Sequence, residues 1–157
     1  MNENVSELNL VNYLISLMPI PWKKIAFYAE SDNGSRSLFF GVREKETDIA
    51  VNMDTFFKRY DEYPISKRVA PFELIRFVRY KFKQDFAEMG ENVWREFVCT
   101  IEENGEYKFE YFYPNGEEYE YMTRAEFLKK YLDSDYICVN SKYPSKEFVP
   151  ADQNHLL

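Results

Sequence analysis

Acidic side chains are the residues of this chain that could do chemistry, and they are concentrated in one stretch. Between positions 91 and 122, nine acidic residues stand against two basic ones, which gives this stretch a net charge of −7, equal to that of the whole chain. Two adjacent pairs within it, Glu102-Glu103 and Glu117-Glu118, could serve acid/base chemistry or bind a divalent cation. Because adjacent strand residues point to opposite faces, neither pair is a ready set of ligands.

Other catalytic and cofactor-binding constellations lack the residues that they need. The sole histidine, His155, lies in a polar segment near the C-terminus, where nothing rigid would orient it as a base or a ligand. With no second histidine, and with Cys99 and Cys138 unclustered, neither a zinc site nor Cys–His or Ser–His catalysis has the residues that it needs. None of the five glycines is spaced to cradle a phosphate. We expect no catalytic residues, no cofactor and no metal, and two reduced cysteines that pack in the interior.

The bulk properties predict one soluble, cytoplasmic domain. A chain of 157 residues can form one core, and an aromatic content of 18% predicts that Phe and Tyr build much of it. The first four residues lack the positive charge of a secretory signal, and the apolar segment at residues 10–20 is about half the length of a membrane span. Residues after 140 are polar and rich in Ser, Pro and Lys. We therefore expect a domain at residues 1–140 and a tail at residues 141–157.

The first half of the chain predicts a helix, a hairpin and a long central helix. Apolar residues recur at helical spacing in two segments, Leu8, Val11, Ile15 and Met18, and then Ile75, Val78, Phe82, Phe86 and Met89. Between them, Asn33-Gly34 is a hairpin turn. Strands are predicted at residues 25–30 and 37–43, with a short third strand at 49–53 and a loop at 58–67. Basic residues beside the second apolar stripe are interpreted as a solvated flank.

The second half predicts another hairpin and a third helix. Phe97, Cys99 and Ile101 alternate along one strand, Asn104-Gly105 turns the chain, and residues 107–113 return. Residues 117–121 are interpreted as a further strand, and Thr123 with Glu126 forms a capping box that opens a helix to about residue 132. The predicted fold is a single α+β domain, with a mainly antiparallel sheet packed against two or three helices.

The returning strand of the second hairpin alternates aromatic and charged residues. This pattern predicts aromatic side chains on one face and carboxylates on the other. An acidic face of this kind can steer and hold a basic partner. It can equally be a solvated surface that maintains solubility. Direct binding of nucleic acid is disfavoured, because the interleaved glutamates would repel phosphates.

Several segments in order resemble the YezG-like immunity proteins. They are Pro19 and Trp22, the run Phe27-Tyr28-Ala29-Glu30, Trp94 with Phe97, and the odd-numbered residues from Gly105 to Tyr111 with their charged neighbours. The resemblance covers roughly residues 8–113 and extends toward 132. It implies a bacterial, cytoplasmic antitoxin, often encoded beside a polymorphic toxin exported by type VII secretion. Better-known members bind and neutralise nuclease domains, so the resemblance implies inhibition by complex formation and no enzymatic activity.

The chain departs from the family pattern after Tyr113, where Pro114-Asn115-Gly116 replaces an acidic turn, and in its longer tail. These departures place the identity of the partner in doubt more than the role. Trp22, Trp94, Phe97, Tyr107 and Phe109 are interpreted as core residues. Carboxylates are seldom buried without partners, so the predicted partner-binding residues are Glu30, Glu102, Glu103, Glu106, Glu110, Glu117 and Glu118.

Two other functions remain compatible with the sequence. The first is a small enzyme that uses a carboxylate pair such as Glu102 and Glu106, which would require a cleft and a perturbed carboxyl group. The second is an adaptor module that binds a partner other than a toxin through the same acidic face. If the protein is an antitoxin, we further expect its partner to be a basic toxin, a nuclease domain, bound in a direct stoichiometric complex.

Overall fold

The computed structural model describes residues 6–18, 21–32, 35–46, 48, 50–52, 70–114, 118–134, 136–138 and 148–150. Its strands are β1 (Trp22–Asp32), β2 (Ser35–Glu44), β3 (Ala50–Asn52), β4 (Glu96–Glu102), β5 (Tyr107–Phe112), β6 (Tyr136–Cys138) and β7 (Phe148–Pro150). They form one sheet in the order β5-β4-β1-β2-β3-β6-β7. Neighbouring strands are antiparallel except β3 and β6, which are parallel. The predicted α+β fold with a mainly antiparallel sheet is confirmed.

Three α-helices accompany the sheet in the described residues: α1 (Glu7–Ser16), α2 (Ala70–Met89) and α3 (Arg124–Leu132), with a short 3-10 helix at Gly90–Asn92. Helix α3 begins at the predicted capping box. The Thr123 hydroxyl accepts the Glu126 backbone N–H at 3.1 Å, and the Glu126 carboxylate accepts the Thr123 N–H at 3.4 Å. The helix ends at Asp133, which adopts a left-handed conformation with φ of 48°.

The side chains of the central strands alternate in direction and are buried on both faces of the sheet. On β1, Ile25, Phe27 and Ala29 pack toward α1 and α2, whereas Ala26 and Tyr28 pack toward α3. The larger cluster lies on the α1–α2 side and is rich in aromatic rings, as the composition predicts. The chain therefore forms three layers, with two helices on one face of the sheet and one helix on the other.

The predicted central helix is confirmed as α2, but the predicted apolar stripe is only partly its buried face. Val78 is buried and Phe82 partly buried, but Ile75, Phe86 and Met89 are 36%, 46% and 41% exposed. A helix of twenty residues spans about 30 Å, and the residues of α2 after Lys81 are at most partly buried. Polar contacts fix this half instead. Asp85 accepts a hydrogen bond from the Trp94 indole N–H at 2.8 Å and pairs with Lys81 at 3.2 Å.

The remaining predictions concern a further strand, the C-terminal segment and a loop. Residues 118–121 do not form the predicted strand; Tyr119 and Tyr121 instead use their hydroxyls to tie this segment to the sheet. The short strands β6 and β7 were not predicted, and β7 lies within residues 141–157, so the proposed boundary at 140 stays a prediction. The predicted loop at 58–67 lies outside the described residues. Within the described segments, no helix has the length and apolar character to cross a membrane.

Candidate partner-binding surface

The β4–β5 hairpin holds the predicted acidic residues on a defined turn. Glu102 donates its backbone N–H to the Glu106 carbonyl at 2.8 Å, and Gly105 donates to the Glu102 carbonyl at 2.9 Å. Gly105 has φ of +91°, which favours glycine, and the Asn104 side chain accepts the Glu106 N–H at 3.0 Å. This is a three-residue hairpin loop with a bulge at the glycine. We call Glu102, Glu103, Glu106 and Glu110 the acidic tip.

Lysines match the charge of the acidic tip. The ion pairs are Lys24 to Glu102 at 3.3 Å, Lys45 to Glu103 at 3.0 Å, Lys108 to Glu110 at 3.2 Å and Lys130 to Glu110 at 3.8 Å. Glu106 is exposed and makes no ion pair within the described part of the chain. Two of these lysines come from β1 and the turn after β2, far away in sequence. The acidic excess counted along the chain is therefore largely neutralised in space at this end of the hairpin.

Glu110 is the most embedded carboxylate of the acidic tip. Its side chain is 27% exposed, and the Tyr131 hydroxyl of α3 donates to it at 3.2 Å. Partial burial alone would raise the pKa of the Glu110 carboxyl, but the hydrogen bonds from Lys108 and Tyr131 and the lysine charges outweigh burial and hold that pKa below its usual value. Glu110 therefore belongs to a hydrogen-bonded network that joins β5 to α3.

A second acidic region lies at the opposite end of the hairpin. A cleft of about 560 Å³ opens there, and we call it the acidic cleft. It is lined by Glu96, Phe112, Glu118, Tyr119, Glu120, Tyr121, Met122, Glu126 and Lys130. Glu118 and Glu120 are exposed and make no ion pair with any residue that the structure describes. With four carboxylates and one lysine in its lining, the acidic cleft keeps the negative charge that the acidic tip loses.

Glu96 organises the floor of the acidic cleft. It is 2% exposed, and its carboxylate lies 2.5 Å from the hydroxyls of both Tyr28 and Tyr119 and accepts the Met122 backbone N–H at 2.8 Å. Burial raises the pKa of both phenols, and the hydrogen bonds to glutamate raise those pKa values further. The phenols therefore stay neutral and can donate. These contacts fasten residues 119–122 to β1 and β4.

Glu96 is not among the residues predicted from the sequence, although the sequence contains one signal for it. The alternation of Phe97, Cys99 and Ile101 places Glu96 on the opposite face of β4, where α3 packs. A carboxylate at the start of a strand whose inner positions are apolar is unusual. A tyrosine-rich segment followed by a capped helix could supply donors for it, as Tyr119 does.

The structure divides the predicted partner-binding residues into groups. Glu102, Glu103, Glu106 and Glu110 lie together at the acidic tip, whereas Glu118 lines the acidic cleft. Glu30 is half-buried, with its carboxylate 2.6 Å from the Tyr28 hydroxyl, on the same buried network as Glu96. Glu117 lies outside the described residues. The contact roles of these residues stay predictions.

The predicted core aromatics are mostly inside, with one correction. Trp94 and Phe97 are buried, and Trp22 and Phe109 are partly buried against the same cluster. Tyr107 is 44% exposed. Tyr107 lies at the start of the last strand of the sheet, beside the exposed turn, whereas Phe109 and Tyr111 further along β5 pack against the core.

The described residues that could serve enzymatic chemistry lie in an open, lysine-containing cleft or in the core. Glu102 and Glu106 line an open cleft of about 310 Å³ that also contains several lysines. Within the described residues, no group of three His, Cys, Asp or Glu side chains is placed to hold a metal ion. Cys99 is free and buried, and burial raises the pKa of its thiol. His155 and the Cys138 side chain lie outside what the structure describes.

Comparison with known families identifies the class of this protein. A family model described as "Immunity protein YezG-like" matches residues 7–138, more than four-fifths of the chain. The chain therefore belongs to the YezG-like immunity protein family, and the resemblance read from its aromatic segments is confirmed. Membership gives it the role of an immunity protein, whose partner is a cognate toxin. A search of curated proteins finds no match.

Proposed function

We propose that this protein neutralises its cognate toxin by direct stoichiometric binding, with no chemistry of its own, and that the toxin is a basic nuclease domain. The observation that carries the proposal is the family match over residues 7–138, which runs from α1 to β6 and so includes both acidic regions. The proposal includes a bacterial cytoplasm as its location and a polymorphic toxin exported by type VII secretion as its partner.

Two acidic regions that adjoin at one residue support a basic partner. Lys130 lines both the cleft beside the acidic tip and the acidic cleft, so the two regions share the α3 side of the hairpin. A nuclease presents cations to phosphate, and a carboxylate-bearing surface can meet these cations. Charge complementarity mainly supplies association rate and specificity, whereas buried tyrosine contacts supply residence time.

The acidic cleft is proposed as the main contact, with the acidic tip beside it. The carboxylates of Glu118 and Glu120 are exposed and unpaired among the described residues, so a toxin cation can approach them without displacing a lysine. Glu102, Glu103 and Glu110 already have lysine partners. A basic toxin must displace or outcompete these pairs. Glu30, Glu106 and Glu117 complete the proposed contact set.

Co-expression with the toxin encoded beside this gene tests the function directly. We expect cells to survive the active toxin, and an inactive toxin variant to co-purify with this protein in a defined ratio. The same experiment with Glu118→Lys/Glu120→Lys should reduce both protection and complex formation, whereas Arg79→Glu/Lys83→Glu on the exposed flank of α2 should leave them unchanged. Survival without a complex would refute inhibition by binding. A cleaved or modified toxin would indicate an enzyme instead.

A further inference from the structure

Strand β5 presents an open backbone edge. It is the last strand of the sheet, with β4 on one side and no described strand on the other. The hydrogen bond from Glu102 to Glu106 places even-numbered residues of β5 in the positions that pair with β4. In an antiparallel ladder these positions alternate, so Tyr107, Phe109 and Tyr111 direct their N–H and C=O groups outward. Such an edge is a template for another strand.

The side chains of β5 are patterned on both faces of this edge. On the α1–α2 face, the rings of Tyr107, Phe109, Tyr111 and Tyr113 form a row with centroid separations of 6.2, 6.1 and 6.5 Å. The two end rings are 44% and 47% exposed. On the α3 face, Lys108 is 70% exposed and Glu110 is 27% exposed. The edge therefore offers aromatic surface on one face and one residue of each charge on the other.

We propose that this edge pairs with β5 of a second copy of the chain, antiparallel, about a two-fold axis that passes through Phe109. Three registers are possible at the centre of β5, with the two-fold axis at Lys108, Phe109 or Glu110, and the charges of the side chains favour the one at Phe109. An axis at Lys108 places two lysines opposite each other, and an axis at Glu110 does the same with two glutamates. Only the axis at Phe109 places Lys108 opposite Glu110 of the second copy, and it does so twice.

The geometry of the ladder strengthens this selection. With the axis at Phe109, the outward backbone groups of Phe109 and its copy exchange hydrogen bonds, as do those of Tyr107 and Tyr111 of the second copy. Lys108 and Glu110 then fall in the non-hydrogen-bonded positions, where Cα atoms are about 4.5 Å apart and side chains are closest. A lysine in an edge strand usually opposes pairing. Here Lys108 disfavours the register with the axis at Lys108, Glu110 disfavours the register with the axis at Glu110, and the two together favour the register with the axis at Phe109.

The aromatic face gains from the same register. Phe109 meets its own copy, and Tyr107 meets Tyr111 of the second copy, so the row of rings continues across the axis. Cross-strand aromatic pairs are among the favourable pairs in antiparallel sheets. Lys130 remains 3.8 Å from its own Glu110, which therefore keeps an internal cation while facing Lys108 of the second copy. The product is one continuous sheet with matching helical layers on each face.

Sedimentation of the full chain over a concentration series tests the proposal, without the toxin. The wild type should form a dimer. Lys108→Glu and Glu110→Lys each place like charges opposite each other twice, so each should raise the dimer Kd by at least about tenfold. An equimolar mixture of the two variants should regain wild-type affinity as a heterodimer, because the two substituted side chains then face each other. Circular dichroism confirms that each variant is folded.

Lys83→Glu on α2 is the matched control, since it makes the same charge change at an exposed residue away from the edge. It should leave the dimer Kd unchanged. A wild type that stays monomeric overturns the proposal, and so does a Lys108→Glu variant with the wild-type Kd. A mixture that does not recover affinity overturns the register. A monomeric wild type whose Lys108→Glu variant loses toxin binding would assign the edge to a strand of the toxin instead.

Discussion

The acidic tip and the acidic cleft come from the same stretch of sequence, yet the fold treats their charges differently. At the tip, three of the four carboxylates pair with lysines. In the cleft, Glu118 and Glu120 stay unpaired among the described residues, and Lys130 is the one cation in the lining. The difference shows that charge counted along a chain does not measure the field at a surface, because strands bring distant lysines beside local glutamates.

The two regions adjoin at Lys130, but the outer end of the acidic tip is far enough from the cleft floor to act separately. Glu96 begins β4 and Glu102 ends it, so the cleft floor and Glu102 are separated by about 20 Å at the rise of an extended strand. The Debye length is about 8 Å at physiological ionic strength and about 30 Å at 0.01 M. A cation at the cleft floor therefore senses the carboxylates of Glu102 and Glu103 at low salt but not at physiological salt.

The largest predicted effect is on stability and arises at the cleft floor. Glu96→Ala should lower the free energy of unfolding by about 3 kcal/mol, because the Tyr119 hydroxyl and the Met122 N–H lose their acceptor and the Tyr28 hydroxyl is left with Glu30 alone. Urea denaturation measures this loss. Glu118→Ala, the same change at an exposed cleft residue, should stay within about 0.5 kcal/mol of wild type. Equal losses in the two variants would show that Glu96 does not organise the cleft.

A smaller effect, on the rate of toxin association, should appear when the carboxylates of the acidic tip lose their lysine partners. Lys24→Gln/Lys45→Gln removes the partners of Glu102 and Glu103, so the toxin should associate about threefold faster at low salt. Stopped-flow binding to an inactive toxin measures the rate. Arg79→Gln/Lys83→Gln removes the same charge from α2 and serves as the control. A rate no higher than that of this control would show that lysine pairing does not set the field at the tip.

The smallest predicted effect concerns the pH dependence of stability. The folded state holds the pKa of Glu110 below its ordinary value of 4.5, so its ionised form stabilises the fold above that pH. This contribution is lost as pH falls through the lowered folded-state pKa. The stability difference between wild type and Glu110→Gln should therefore shrink as the solution is acidified from neutral pH. A difference that is constant with pH would contradict the network described for Glu110.

Local signals predicted the elements that carry both acidic regions. The Asn104-Gly105 turn and the alternation around it predicted the β4–β5 hairpin, and Thr123 with Glu126 predicted the start of α3, because a turn and a cap depend on a few adjacent residues. The apolar periodicity of α2 predicted a helix but not its buried face. Tertiary packing sets that face, which buries Leu74, Phe77 and Val78 and leaves Ile75 exposed.

Long-range contacts account for what the sequence did not predict. The pair between Lys24 and Glu102 follows from the register of β1 against β4, in which these two residues are directly opposite. Glu96 gains its partners only when residues 119–122 fold back over β4. The three-residue strands β6 and β7 carry too little pattern to stand out. The exposure of Tyr107 reflects its place at the start of β5, beside the exposed turn and at the edge of the sheet.

The central claim is that the unpaired carboxylates of the acidic cleft attract and hold the toxin. The direct test compares association rates of Glu118→Gln/Glu120→Gln with those of Glu102→Gln/Glu103→Gln, two variants of equal charge change, at low and physiological salt. At low salt both should slow association. At physiological salt the cleft variant should remain slower by about tenfold, whereas the tip variant should lie within about twofold of wild type. A tip variant as slow as the cleft variant, or slower, at physiological salt would contradict this account and place the main contact at the acidic tip.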